Sequence, residues 1–280
     1  MGYYSVALTG RVIGSRCADH EDMMKNKVCI ALDVDSPEKA LDLARRLTPW
    51  VGVFKVGFQL FTRAGPDIVR AIIREGGEVF LDLKYHDIPN TVVSAAREAL
   101  GLGVRMFNVH CSGGSRMMRA LVETLTREAR ETGKPMPLLL GVTVLTSFTE
   151  GELQSDLLIP LSLEDYVVHL AKLAREAGMG GVVCSAEEIE PIRRACGPDF
   201  VLVTPGIRPA WAARGDQRRV VTPADALCRG ADYIVVGRPI TEAKDPEEAA
   251  RRLLLEITSG TCEGWREGMS RTDQESVRRG

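Results

Sequence analysis

Long apolar runs are missing from this chain. Nothing in its 280 residues approaches the roughly 18 consecutive apolar positions a transmembrane helix needs. The start lacks a basic stretch followed by an apolar core and a cleavage site, and Met1-Gly2 with Val6 does not match an N-myristoylation signal. A soluble, cytoplasmic protein is the expectation. An excess of one charge is missing too: 36 basic and 38 acidic residues, well mixed, leave a formal charge of -2, which argues against a nucleic-acid surface or a membrane-binding patch. The ligand expected is therefore a small molecule. Metal-ligand spacing is absent, since the four histidines (His20, His86, His110, His169) form no His-x-x-x-His and the seven cysteines (Cys17, Cys29, Cys111, Cys184, Cys196, Cys228, Cys262) form no Cys-x-x-Cys. No metal site is read from them, and an odd, scattered cysteine set reads as reduced, mostly packed thiols. Nor is there a Gly-x-x-x-x-Gly-Lys-Ser/Thr phosphate loop or a Gly-x-Ser-x-Gly nucleophile turn.

What is present is an alternation of short β-branched runs with helical stretches, and eight such pairs can be counted. Strands are expected at Val28–Val34, Val51–Val56, Glu78–Lys84, Arg105–His110, Leu138–Val144, Gly181–Cys184, Phe200–Thr204 and Tyr233–Val236. Helices are expected near 37–47, 66–75, 90–101, 115–131, 163–177, 186–195, 223–229 and 246–257. Strand–helix alternation forces parallel strands with right-handed crossovers, and eight units match an α/β fold of one closed (β/α)8 TIM barrel, with its active site at the C-terminal ends of the strands. A doubly wound open sheet ranks second, because Leu32-Asp33-Val34-Asp35-Ser36 carries no Gly-x-Gly-x-x-Gly turn after the first strand. The barrel domain is placed at 27–258, between an N-terminal extension 1–26, read as disordered or upstream of a true start at Met23 or Met24, and a polar tail 259–280.

The stretch Asp82-Leu83-Lys84-Tyr85-His86-Asp87-Ile88 places two carboxylates and an ammonium within six positions at the end of an apolar strand. Side chains two apart share a face, so Asp82 and Lys84 point the same way. An isolated Asp-x-Lys is readily explained as a solvated surface pair, but the other strand ends also carry polar groups: Asp33 on the first, Lys55 on the second, Asn108 and His110 on the fourth, Thr143, Thr146 and Ser147 on the fifth, Gly237-Arg238 on the eighth. Lys55 inside Val53-Phe54-Lys55-Val56 is costly unless it pairs or faces a wet cavity. Asn108 and His110 are better read as strand caps. Two connections are longer than a barrel requires, Thr146–Ser162 and Pro205–Val221, the second carrying Arg208, Arg214, Gln217, Arg218 and Arg219 and suiting a cover over the barrel mouth. Gly237-Arg238-Pro239 after an apolar strand combines close backbone approach, a planar fork of donors and a helical turn, which suits a phosphate. A phosphorylated small molecule follows from the residues alone. An Mg²⁺ held by Asp82 and a second acid stays open as an alternative.

These residues, in this order, resemble the bacterial orotidine 5'-phosphate decarboxylases over nearly the whole barrel. The resemblance rests on Ala31-Leu32-Asp33, Phe54-Lys55-Val56-Gly57, Leu81 through Thr91, Val142 through Ser147, Thr204 through Arg208, Asp216-Gln217 and Val236-Gly237-Arg238. It implies a cofactor-independent, metal-free conversion of orotidine 5'-monophosphate to UMP by a homodimer. Lys84 would be the proton donor, flanked by Asp82 and by Asp87 from the second subunit, with Lys55 completing a Lys–Asp–Lys–Asp array. Asp33, Lys55 and Thr91 would meet the ribose, Thr91 again across the dimer. Thr146 and Ser147 would address the pyrimidine. Arg208, Gln217, Gly237 and Arg238 would hold the phosphate, with Pro205 and Ile88 contacting substrate. Two competing readings are a Mg²⁺-dependent sugar-phosphate decarboxylase or aldolase of the same barrel group, and a non-catalytic barrel that senses a phosphorylated ligand.

Overall fold

The computed structural model of the chain describes residues 20–212 and 221–260. Its centre is a single sheet of eight strands: β1 (Val28–Ala31), β2 (Val53–Gly57), β3 (Glu78–Tyr85), β4 (Met106–His110), β5 (Leu138–Val142), β6 (Gly181–Val183), β7 (Val201–Thr204) and β8 (Tyr233–Val236). Neighbours pair in parallel in sequence order, and β8 closes on β1. Parallel pairing needs a crossover after each strand. A helical turn α1 (20–25) leads into β1, and the crossovers and the final helix are α2 (Pro37–Leu47), α3 (Phe58–Ala64), α4 (Asp67–Arg74), α5 (Pro89–Leu102), α6 (Gly114–Thr132), α7 (Glu150–Ser155), α8 (Leu163–Glu176), α9 (Ile189–Cys196), α10 (Pro223–Cys228), α11 (Arg238–Thr241) and α12 (Pro246–Ser259).

The strands read as apolar runs because both of their faces are covered. Alternate residues nevertheless part into two cores. Cys29, Ala31, Val53, Phe80, Met106, Leu140, Val203 and Val235 fill the barrel interior. Val28, Ile30, Phe54, Val56, Val79, Leu81, Phe107 and Val109 join the layer between strands and helices, as the two-residue period of a strand requires. Helix starts are written locally: proline opens α2, α5, α10 and α12, and Ser36, Thr149, Ser162, Thr222 and Asp245 cap α2, α7, α8, α10 and α12. At Gly181 a β-carbon would collide with the Val201 carbonyl, so β6 and β7 can approach only through glycine.

The barrel agrees with the expectation from sequence, and the strand starts and ends differ from it by up to three residues. β1 stops at Ala31, leaving Leu32 to Val34 as connection, and β5 stops at Val142. Besides α1, three short helices among the described residues were not anticipated. α3 and α11 follow β2 and β8 directly, and α7, with its Thr149–Glu152 capping box, occupies the long connection after β5. The described part of the 1–26 extension is helical over 20–25, and Met24 packs on the core. Cys29, Cys111, Cys184 and Cys196 are buried and free. Cys228, half-buried at the end of α10, is disulfide-bonded, which corrects the reading of a wholly reduced set; the spacing of cysteines along a chain does not report which are paired. Cys17, Cys262, residues 213–220 and the tail from 261 lie outside the described residues.

At the N-terminal end of the barrel, Arg193 ties α9 to the starts of β7 and β8. It donates to the carbonyls of Gly197, Pro198 and Phe200 at 2.8–3.0 Å, to Gly230 O at 2.6 Å and to Asp232 at 2.8 Å. Asp232 in turn accepts from the Leu202 amide at 2.8 Å. Arg193→Met is expected to lower the unfolding free energy by about 2–4 kcal/mol, because it strands partly buried acceptors and one carboxylate. Urea unfolding checks this, and ligand affinity at the opposite end of the barrel should not change.

Candidate active site at the C-terminal end of the barrel

The inward face of several strands changes from apolar to polar towards the C-terminal end. β2 runs from Val53 to Lys55, β3 from Phe80 to Asp82 and Lys84, and β4 from Met106 to Asn108. These ends open into a cavity of about 360 Å³ lined by Asp33, Lys55, Asp82 and Lys84, by Val142, Val144 and Thr146 after β5, by Pro205 and Arg208 after β7, and by Gly237 and Arg238 after β8. Apolar walls from Ala31, Phe80, Val183 and Val235 surround the charged groups, which strengthens the interactions among them.

Four ionic side chains form one chain of contacts. Lys55 Nζ lies 3.1 Å from Asp33 Oδ1 and 3.3 Å from Asp82 Oδ2. Lys84 Nζ lies 2.7 Å from Asp82 Oδ1. Asp82 is 8% exposed, and Asn108 Nδ2 also donates to its Oδ1 at 2.7 Å. Burial pushes the Asp82 carboxyl up, but Lys55, Lys84 and Asn108 outweigh it and hold the group below the usual carboxylate range. Burial likewise pulls Lys55 down, and Asp82 with Asp33 overcomes it, leaving the ammonium above its ordinary value. Both ions thus stay charged at neutral pH. Beneath them, burial drives the Cys29 thiol up to about 12, which keeps it protonated and inert.

Lys84 adopts φ +41°, and the β3–β4 register shifts between Leu81 and Tyr85. A left-handed lysine costs about 1–3 kcal/mol unless its surroundings over-determine it. Asn108 supplies part of that determination, since its Oδ1 accepts the Lys84 backbone N–H at 2.8 Å while its Nδ2 holds Asp82. Phe58, the first residue of α3, presents its ring 5.3 Å from Lys84 Nζ.

The structure brings together Asp33, Lys55, Asp82, Lys84, Thr146, Pro205, Arg208, Gly237 and Arg238. Asp87, Ile88 and Thr91 are not brought in; all three are exposed, and Asp87 Oδ1 accepts the adjacent Ile88 amide. Ser147 is exposed beside Thr146 and does not line the cavity, and Gln217 lies outside the described residues. At Gly237 an added β-carbon would meet only Ala31 Cβ at 3.6 Å, and Gly237 itself lines the cavity. Two residues were undervalued or missed. Asn108, read as a strand cap, is the hydrogen-bonding partner of both Asp82 and Lys84; its inward register beside Met106 was the available signal. Phe58 gave no signal in sequence. His110 stands apart from the cavity lining: half-buried, it pairs its ring with the exposed His86 at 5.4 Å and makes no side-chain capping bond.

Asp82 stabilises the fold fully above its unfolded value of about 4, and that contribution is lost as pH falls through the lower folded value. Asp82→Asn should therefore flatten the acid limb of a stability-against-pH curve. Asn108→Ala is expected to cost about 1–3 kcal/mol of stability in urea unfolding, because it leaves the Lys84 amide and one Asp82 lone pair unmatched.

The model of the orotidine 5'-phosphate decarboxylase / HUMPS family matches residues 26–253. An orotidine 5'-phosphate decarboxylase of Moorella thermoacetica is 52% identical over 233 residues, covering 83% of this chain and 92% of that protein. One from Syntrophotalea carbinolica is 53% identical over 241 residues, covering 86% and 98%. Among solved structures, orotidine 5'-phosphate decarboxylase of Lactobacillus acidophilus superposes with a TM-score of 0.73 at 38% identity, covering 82% of this chain and 98% of that one. A buried carboxylate clamped between two lysines at the mouth of a (β/α)8 barrel and these likenesses converge, and the chain belongs to the orotidine 5'-phosphate decarboxylase / HUMPS family.

Proposed function

We propose that this protein is a carboxy-lyase that converts orotidine 5'-monophosphate to UMP and carbon dioxide without a cofactor, the closing step of UMP synthesis. The observation that carries the reading is the ionised Asp82 held 2.7 Å from the Lys84 ammonium and 3.3 Å from that of Lys55, in a cavity that Arg208 and Arg238 also line.

The bond between C6 of the pyrimidine and its carboxylate breaks with both electrons staying on C6. That lone pair lies in the ring plane, where the π system cannot delocalise it, so the protein must supply a fixed positive charge. Lys84 does so and then transfers a proton from Nζ to C6, regaining one from solvent. Its strained backbone and its bond to Asp82 restrict it to one position before substrate arrives, so little reorganisation is left for the chemical step. Asp82, kept ionised by its neighbours, faces the substrate carboxylate and disfavours the ground state, while the two lysines limit that repulsion. Asp33 and Lys55 are assigned to the ribose, Thr146 to the pyrimidine, and Arg208, Gln217, Gly237 and Arg238 to the phosphate, with Pro205 at the cavity rim. Binding energy from the phosphate is thereby spent at the remote reacting carbon. Asp82 directs both its oxygens at Lys55, Lys84 and Asn108, which disfavours it as a divalent-cation ligand and so weighs against the sugar-phosphate reading.

Asp87, Ile88 and Thr91 stand exposed outside their own chain's cavity, with Ile88 67% exposed. We assign them to the site of a second copy, making the enzyme a homodimer. Phosphorylated substrate and product do not cross membranes unaided, which supports a cytoplasmic location. Among the described residues no helix is long and apolar enough to span a membrane.

Purified protein in excess EDTA should discharge the ultraviolet absorbance of orotidine 5'-monophosphate and yield UMP, and Lys84→Ala should abolish turnover while retaining UMP binding. Intact, folded protein with no conversion would reject the reading. Mixing inactive Lys84→Ala and Asp87→Ala proteins should restore activity if Asp87 serves the neighbouring site, because half of the sites in each mixed dimer are then complete. No recovery after subunit exchange would place Asp87 in its own chain's chemistry.

A further inference from the structure

Helix α12 packs against α2, α10 and α11. It lies beyond the last strand and contributes no residue to the cavity lining. Two of its side chains nevertheless reach the segment that leaves β7. Glu256 accepts the Ala210 amide through both carboxylate oxygens at 3.3 Å. The Arg252 guanidinium sits 4.9 Å above the ring of Trp211, a partly buried residue packed on the core. The Trp211 indole Nε1 is buried without a hydrogen-bond partner among the described residues, and burial raises the Glu256 carboxyl despite the opposing Ala210 amide and Arg252 charge. The Arg208 amide is bonded to the Val221 carbonyl at 3.2 Å, so the segment around Arg208 is pinned at its base as well as at Ala210 and Trp211. The helix packed beside α12 is α11, which begins with Arg238. One helix therefore carries the supports of both arginine-bearing segments.

We propose that Trp211, Arg252 and Glu256 form a latch on α12 that positions Arg208 for the phosphoryl group of the ligand, making Trp211 a positioning residue that touches no substrate. The inference rests on the phosphate assignment made above. Arginine selects a phosphate by presenting a planar fork at a set angle, and a fork carried on a connecting segment keeps that angle only if the segment is anchored. The cation over the indole and the carboxylate's hold on the Ala210 amide act together to anchor the segment. The latch should therefore matter for phosphorylated ligands and be silent for ligands lacking the phosphate.

The test is equilibrium binding of UMP and of uridine by calorimetry to wild type, Trp211→Ala, Glu256→Ala, Arg208→Ala and the double variant Arg208→Ala/Trp211→Ala, with thermal unfolding as the folding control. Trp211→Ala and Glu256→Ala should each weaken UMP about tenfold and leave uridine unchanged, and Trp211→Ala should add nothing once Arg208 is gone. Equal weakening of both ligands, an unchanged UMP affinity, or a full further loss in the double variant would overturn the latch. Turnover of orotidine 5'-monophosphate by wild type judges the decarboxylase reading separately: a wild type that binds UMP but leaves that substrate intact fails the reading and still decides the latch. A wild type that binds no UMP counts against both.

Discussion

A carboxylate buried to 8% exposure cannot remain charged without compensation, and the site depends on how Asp82 obtains it. Taking an ion out of water costs several kcal/mol even after relaxation. Two ammonium groups and one amide offset that cost, and each is then fixed by the bond it makes. The same interaction that keeps Asp82 ionised holds Lys84 in place, so charge and geometry are set together.

The barrel makes this arrangement affordable. Parallel strands buried on both faces supply an apolar floor of Ala31, Phe80, Val183 and Val235 beneath the ions. The strand stagger sets Lys55 opposite Phe80 and Gly57 opposite Asp82, so charged residues from β2 and β3 meet at one level of the mouth although they sit at different depths of their own strands. The irregularity in β3 near Lys84 lies where pairing with β4 lapses between Leu81 and Tyr85, and Asn108 of β4 bridges the gap. Within β3 the left-handed backbone is confined to Lys84 and is held by the neighbouring strand.

Most of the site was legible in the sequence because charged residues in apolar strands are too costly to be incidental. Lys55, Asp82 and Lys84 are of that kind, and Arg208 and Arg238 lie within four residues of the end of an apolar strand. Asn108 was discounted because an amide at a strand end has an ordinary explanation, and only the distance across to β3 shows that it serves two neighbours at once. Phe58 lay in a helix too short to announce itself, and the Trp211 contacts join residues more than forty positions apart. The helical turn at 20–25 and the disulfide at Cys228 escaped for a similar reason: neither short helices nor cysteine pairing leave a periodic trace.

By itself the sequence determined the number of strand–helix units, the parallel closed sheet they imply, and the side chains that carry charge to one end of it. Those properties follow from local periodicity and from the cost of burying a charge, both of which act within a few residues. Tertiary structure alone decided that Asn108 bridges Asp82 and the backbone of a left-handed Lys84, that Phe58 presents its ring to the Lys84 ammonium, and that Ile88 lies outside its own chain's cavity. These depend on strand stagger and on the path of each connection, which arise from packing among distant segments and have no expression in the order of residues along any one of them.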